Sequence, residues 1–526
     1  MTDTKDPPRA TAEQVRAIIA EAERIAAIID AAPVIGEPDE PSTDPLGEPA
    51  QGETGMEGVE APDEIGGEDD DADPKGSDPE DWGFDIDDMN REWALVLMGS
   101  KAVIVREQPF GPIEDRVRVL TIEAFGHLFS NRPTQIRSAT GIKVTTWAKR
   151  WMTHKKRRTF HGIEFFPNPD GAEATPGYLN LYRGFSVAPK AKAHGYDVLL
   201  DHMRNNICHG DAVLFQWLFG WFAHMMQRPR ERIGTALIFR GRMGAGKSIV
   251  GEFMGSLIAS HYFLVGDARY ITGNFNAHMA SCLLLQAEEA VWAGDKAAEG
   301  RLKDLVTAEI QMIEQKSIDP IRLKNFVRLI MTSNEDWVVP AGKDERRFAV
   351  FDVHPRCAQN HEYFREMRAE MDNGGREALL ADLLAFDLST VNLRQIPMTA
   401  ALLEQKFRSL DTVENWWLER LMDGTTRRGG SEWVREVPVD GLFDDYIATA
   451  EKIGVKRKTE KISFGMKLTK IVPQLLRVHP WLTDEHQVRQ RIWCYALPPL
   501  DVCRAAFTQA VGQTIDWPVD SPDGEE

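Results

Sequence analysis

The 526-residue chain is poor in cysteine, and none of its five cysteines forms a C-x-x-C pair. Cys208, Cys282, Cys357, Cys494 and Cys503 are scattered. That spacing excludes a structural zinc knuckle or a disulfide framework and points to a reducing cytoplasm. No apolar run approaches the roughly 20 residues that a membrane helix needs, so no membrane partner is expected. The N-terminus, MTDTKDPPRA, lacks a basic stretch followed by an apolar one, so no secretory signal is visible. Residues 1–81 hold no Phe, Trp or Tyr. Within them, residues 33–81 are rich in Pro, Gly, Asp and Glu, carry too little apolar surface to form a core, and read as a disordered acidic tail.

A net positive charge is also lacking: 62 Lys and Arg are outnumbered by 81 Asp and Glu, and the formal net charge of −19 argues against a nucleic-acid binder until its distribution is considered. Residues 1–90 carry 27 Asp and Glu against 5 Lys and Arg, leaving 57 basic and 54 acidic residues for the remaining 436. The acidity belongs to the tail, and a nearly neutral body leaves room for basic patches.

What is present divides into several units, as a chain too long for one core should. Residues 11–32 read as an amphipathic helix, with Thr11 and Gln14 as a capping box, an Ile/Val stripe and Pro33 as its stop. With residues 33–81 it forms either a tethered docking element or a frayed tail; the acidic stretch either mimics nucleic acid or is simply solvated. Residues 82–195 read as a small α+β region, opening with WALVLMGSKAVIVR at 93–106, two strands around Gly99-Ser100. In it, residues 147–166 combine Trp147 and Trp151 with Lys149, Arg150, Lys155, Lys156, Arg157 and Arg158. That composition fits single-strand contact, or a helix with a buried Trp face and a solvated basic one. A helical collar is expected at 196–232, a compact α/β block at 233–355, a helical region at 356–425, and a basic, mainly helical, winged-helix-like region with a flexible end at 426–526.

The strongest chemical signal is residues 235–248, TALIFRGRMGAGKS. An apolar strand leads into Gly241-x-x-x-x-Gly246-Lys247-Ser248, the P-loop spacing. Glycines at 241, 244 and 246, with Ala245 between them, let the backbone wrap phosphates, and the following helix presents free N–H groups to an anion. Lys247 is expected on the β- and γ-phosphates of ATP and the Ser248 hydroxyl on Mg²⁺. Residues 281–290, SCLLLQAEEA, read as a strand beside the P-loop strand ending in two carboxylates, Glu288 for the metal and Glu289 for the attacking water. Residues 326–340 give a third strand ending at Asn334, whose amide is expected between the P-loop and the carboxylates. Arg346 and Arg347 precede a fourth strand, where one guanidinium is expected to enter a neighbouring subunit's site.

The order P-loop, acidic pair, Ser-Asn strand and Arg pair resembles the superfamily 3 helicases, a branch of the AAA+ ATPases, and in particular the helicase domain of phage and plasmid primase–helicases and primase–polymerases. The likeness is good over about residues 200–355 and looser over 90–195, through YLNLYRGFSVAP at 178–189. It implies an α/β, three-layer, AAA+-like P-loop domain with a parallel central sheet, and a homo-oligomer, a hexamer, drawing single-stranded or forked DNA through its pore. It also implies a pore hairpin on which Lys316, Arg322 and Lys324 grip the backbone. Where many members have Asp-Glu, this chain has Glu288-Glu289. Asp85, Asp87 and Asp88 lie at the end of the acidic linker, a poor setting for a catalytic core, and the folded stretch between them and the ATPase block shows no D-x-D or D-x-E strand motif, so no primase activity is expected and a separate primase or polymerase is the natural partner. Two other readings stay open: an ATP-switched initiator or loader that binds DNA without unwinding it, and a P-loop NTPase that is not a helicase.

Overall fold

The computed structural model describes residues 83–518, apart from 109–116, 139–140, 268, 274–275, 290–295, 316–317, 456 and 484–488. The helix expected at 11–32 and the acidic tail lie outside the described residues. No described helix is long and apolar enough to cross a membrane.

The centre of the chain is a five-stranded parallel sheet made of β1 (Ala236–Arg240), β2 (Tyr262–Val265), β3 (Leu284–Glu288), β4 (Arg328–Ser333) and β5 (Phe348–Asp352). Their order in space is β2-β3-β4-β1-β5. Every residue of β1 and β4 is buried, as continuous apolar runs in a parallel sheet require. Each buried Leu, Ile or Phe in such a run contributes roughly 1.5–3 kcal/mol. The strands are therefore fixed by their own side chains, and irregular loops at their ends can be held in costly conformations.

The sheet order corrects one expectation. The strand carrying the two carboxylates, β3, is not beside the P-loop strand; β4 lies between them, pairing Ile330 with Leu237 on one side and Leu285 with Leu329 on the other. The physical reason is that β4 is the more completely buried strand and takes the central place. Asn334, just past its end, thereby falls between the P-loop and the carboxylates, as expected.

The collar helix α1 (Ala212–Gln227) is apolar on all sides, with every residue from Trp217 to Met226 buried. Its Asp211 cap accepts from Val213 N and Leu214 N, and Trp221 Nε1 donates to Thr235 Oγ1 at 3.1 Å, tying it to the start of β1. Helix α2 (Lys247–Ser256) follows β1, and α3 (His361–Glu370) follows β5.

Towards the N-terminus, Trp93–Met98 and Lys101–Glu107 form the expected hairpin, with Met98 opposite Lys101. The segment at 147–166 does not provide a base-stacking surface. Trp151 is fully buried against Phe125, and its Nε1 donates to Asn90 Oδ1 at 3.0 Å. Trp147 is enclosed by Phe84, Phe129 and Arg132. Arg158 is paired with the buried Glu107. Short helix Trp147–Thr153 turns its rings inward and leaves Lys149 to solvent, so the solvated-face alternative describes it.

Candidate nucleotide site

At the C-terminal end of β1 the chain enters residues 241–246, where Gly241, Gly244 and Gly246 have φ of +145°, +77° and +88°. Gly246 is required on two counts. Its backbone is left-handed, and a Cβ there would meet His202 Cε1 at 2.6 Å and Phe364 Cε1 at 2.8 Å. Gly246 caps α2 with no side chain bonded to the helix's first N–H groups, which leaves them free for an anion. Ala245 is buried, and Ser248 is half-buried in the first turn.

Lys247 is buried, and its ammonium donates to Gly241 O at 2.8 Å, Arg242 O at 2.9 Å and Asn334 Oδ1 at 2.6 Å. Burial pushes its pKa below the ordinary lysine value, against the pull of Glu289 and Glu288. Asn334 Nδ2 in turn donates to Glu289 Oε1 at 2.9 Å. The ends of β1, β4 and β3 are thus linked by one hydrogen-bonded chain, Lys247–Asn334–Glu289. Glu289 is exposed, has φ +54°, and its N–H is held by Thr332 O at 2.9 Å. A left-handed non-glycine residue costs on the order of 1–3 kcal/mol, and the buried strands on either side hold this one in place. The backbone turn aims a carboxylate at the P-loop lysine through a single amide.

Glu288, the last residue of β3, and Ser248 flank one side chain that the motif reading missed. Gln286 Nε2 lies 3.2 Å from Ser248 O and 3.4 Å from Glu288 Oε1. The Gln286 amide thus ties the Ser248 backbone to the Glu288 carboxylate, the two residues expected at Mg²⁺. No cluster of three or more His, Cys, Asp or Glu suited to a metal occurs among the described residues.

Arg346 and Arg347 are not brought to this site. They precede β5, so they sit at the N-terminal end of the sheet, whereas the P-loop, the glutamates and Asn334 sit at the C-terminal end. Arg346 is exposed, Arg347 is half-buried, and both backbone N–H groups donate to the buried Glu345 carboxylate, at 3.0 and 2.6 Å. The expected hairpin is present as Ile310–Gln315 paired with Ile318–Lys324. Arg322 lies opposite Met312 and Lys324 opposite Ile310, so all four share one exposed face. Lys316 lies outside the described residues. Asn276 pins the hairpin, donating to Met312 O and accepting from Glu314 N, each at 2.8 Å.

Sequence comparison bears on the same stretch. A family model described as "Family of unknown function (DUF5906)" matches residues 239–347, from the penultimate residue of the P-loop strand to the second arginine. The DNA primase-polymerase of Nitratiruptor phage NrS-1 is 23% identical over 274 residues, which is 51% of this chain. Two solved apo structures of the NrS-1 C terminal region superimpose with a TM-score of 0.53 at 16% identity, covering 77% of this chain and 96% of theirs. The chain is a distant homologue of that C-terminal region. The aligned stretch spans 37% of the phage primase-polymerase's own length, and at 16% identity the superposition speaks for the fold.

Other contacts around the site join residues far apart in sequence. His202, in the π-helical turn His202–Ile207, lies with Nε2 3.0 Å from Gly246 O, while its Nδ1 meets Asn206 Nδ2 at 2.8 Å. Burial holds this imidazole below the ordinary histidine pKa, so it is a neutral buttress under the loop. Arg240, at the end of β1, is paired with Asp352 and Glu404 and donates to Asp336 O at 2.7 Å, locking the strand ends together. Gln286 is fully buried and also accepts from Tyr262 OH at 3.1 Å. A Cβ on Gly251 of α2 would collide with Gln286 Oε1. Gly251→Ala is therefore expected to lower stability by about 1–3 kcal/mol through overpacking, and to weaken Mg²⁺-dependent nucleotide binding more than metal-free binding. Thermal melts and nucleotide titrations with Mg²⁺ or EDTA read both effects, and equal loss in the two titrations would separate Gln286 from the metal side.

Proposed function

We propose that the chain is an ATP-dependent DNA helicase of phage or plasmid replication, assembled as a homo-oligomeric ring with ATP at subunit interfaces. The observation that carries this reading is the Lys247–Asn334–Glu289 chain across the C-terminal ends of β1, β4 and β3. A lysine at the loop, an amide in the middle and a carboxylate beyond is the order needed to hold a γ-phosphate and orient a water behind it. Backbone N–H groups at the start of α2 and Lys247 take the phosphates. Ser248 and Glu288 border the site for Mg²⁺, which neutralises phosphate charge when bound. Glu289 accepts the proton of the attacking water while Asn334 holds it in line. Supporting the replication role is the homology to the C-terminal region of a phage primase-polymerase.

The exposed face bearing Arg322 and Lys324 is the proposed contact with single-stranded DNA, since neither cation is paired with a carboxylate among the described residues. Single-stranded DNA is expected to raise ATP turnover severalfold, and Arg322→Ala with Lys324→Ala to remove that stimulation while leaving the DNA-independent rate within twofold. Phosphate release with and without oligonucleotide, alongside strand displacement on a forked substrate, tests this. Turnover that ignores DNA in the parent chain sinks the helicase reading and favours a P-loop NTPase of another kind. Stimulated turnover with no strand displacement favours an ATP-switched loader.

A further inference from the structure

From residue 412 onward the chain packs α4 (Thr412–Asp423), α5 (Val439–Lys452) and α6 (Lys461–Ile471) around a separate core that includes Trp416, Trp417 and Phe464. A small antiparallel sheet completes it, in the order Glu436–Pro438, Cys494–Ala496, Leu476–Val478. The last two strands run on into a second pair, Trp481–Thr483 with Arg489–Arg491, without a change of register. Leu476 faces Ala496, Val478 faces Cys494, Trp481 faces Arg491, and between the two pairs Ile492 N donates to Pro480 O at 3.2 Å. Residues 476–483 and 489–496 therefore form one long hairpin.

Side chains alternate along strands, so Arg477, His479, Trp481, Arg489, Arg491 and Trp493 fall on a single face. On it, His479 stacks flat on Trp493 at 4.4 Å and 8°, and Arg477 lies 5.4 Å from the same ring. Arg489 and Arg491 lie 5.5 and 5.4 Å from the Trp481 ring. Trp481 and Trp493 are 54% and 52% exposed and take no part in the neighbouring core. None of the three arginines has a carboxylate partner among the described residues. Across residues 451–496 there are ten Lys and Arg against four Asp and Glu, in a chain of net charge −19. A hairpin needing only cohesion would bury its indoles or surround them with both signs of charge.

We propose that this face is a second nucleic-acid site, binding single-stranded DNA or RNA, with bases stacked on Trp481 and Trp493 and phosphates paired with Arg477, Arg489 and Arg491. An exposed ring face can stack only on a base whose own face is free. Paired bases in a duplex hide theirs and offer edges, so the ladder favours an unpaired strand. The guanidiniums over the rings are weaker partners than a base and already stand where a stacked nucleotide's phosphate must go. The site is separate from the hairpin bearing Arg322 and Lys324 and does not depend on how that one works.

The test is fluorescence anisotropy of a labelled oligo-dT with the full chain, without nucleotide, in an Arg322→Ala, Lys324→Ala background so that the other hairpin cannot mask the result. Trp481→Ala and Trp493→Ala are each expected to weaken binding about fivefold or more, with DNA-independent ATP turnover unchanged. Arg489→Gln with Arg491→Gln should lower the slope of log K against log salt by about 0.7 for each phosphate no longer neutralised. Should the alanine variants melt early, Trp481→Phe and Trp493→Phe supply the stacking test, with binding kept within about threefold. Unchanged affinity in folded Trp481→Ala and Trp493→Ala chains, an unchanged salt slope in the arginine variant, loss of binding in folded phenylalanine variants, or tighter binding of a blunt duplex than of oligo-dT overturns the proposal.

Discussion

Lys247→Ala is expected to cut ATP turnover by at least about 10²–10³-fold, the loss that follows removal of a preorganised charge from a site where phosphate charge develops. The fold should survive. The ammonium is buried, but the groups it bonds are at the edge of solvent: Arg242 and Asn334 are exposed and Gly241 is half-exposed. Water can satisfy those oxygens once the lysine is gone, so no buried acceptor is orphaned. The same geometry explains why a neighbouring cation does not substitute. Among the described residues, Lys247 is the side chain that reaches both the loop carbonyls and the Asn334 amide, and burial disfavours its charge until a triphosphate supplies compensation. Phosphate release under saturating Mg²⁺ and ATP, with a thermal melt on the same preparation, checks both halves. Turnover that persists in a folded Lys247→Ala chain would falsify the P-loop assignment and everything built on it.

How much of this was visible in the sequence depends on the range of the interactions. The P-loop was legible because its conformation is local: three glycines at the spacing that positive φ demands, between a buried strand and a helix. The hairpin of Trp93–Met98 and Lys101–Glu107 was legible for the same reason. Gln286, His202 and Arg240 were not. Each acts through a partner chosen by tertiary folding: Gln286 through Gly251 and Tyr262, His202 through Gly246, Arg240 through Asp352 and Glu404. A buried glutamine in the run LLLQAEE is the one clue the sequence held, since an amide amid four apolar neighbours must find partners. The segment at 147–166 left two readings open in the sequence. A short helix with aromatics inside and cations outside has the same composition as a stacking platform, and only the burial of Trp151 separates them. The C-terminal hairpin, by contrast, carries its rings outside, and nothing in its local sequence distinguishes it from the first case.

The second large effect concerns Arg346 and Arg347. A five-residue parallel strand is about 16 Å long, more than an arginine side chain can span, and these residues stand at the end of β5 away from the P-loop. A subunit therefore cannot supply its own phosphate site with either guanidinium, and an arginine that serves catalysis here must serve the next copy in a ring. Arg346, exposed where Arg347 is half-buried, is the expected finger. Arg346→Ala alone should lose about 10³–10⁵-fold in turnover, and Glu289→Gln alone about 10²–10⁴-fold. Mixed one to one, the two dead variants should recover activity, because on the order of a quarter of interfaces in a random ring then join an intact Glu289 to an intact Arg346. Rescue approaching a quarter of the parent rate needs subunit exchange, so it should appear on the time scale of mixing and vanish when the rings are crosslinked beforehand. Arg347→Ala in place of Arg346→Ala discriminates between the two side chains. A mixture as inactive as its parts, with exchange demonstrated by mass, means that no guanidinium crosses the interface from this strand and that the ring, if it forms, completes its site with other residues.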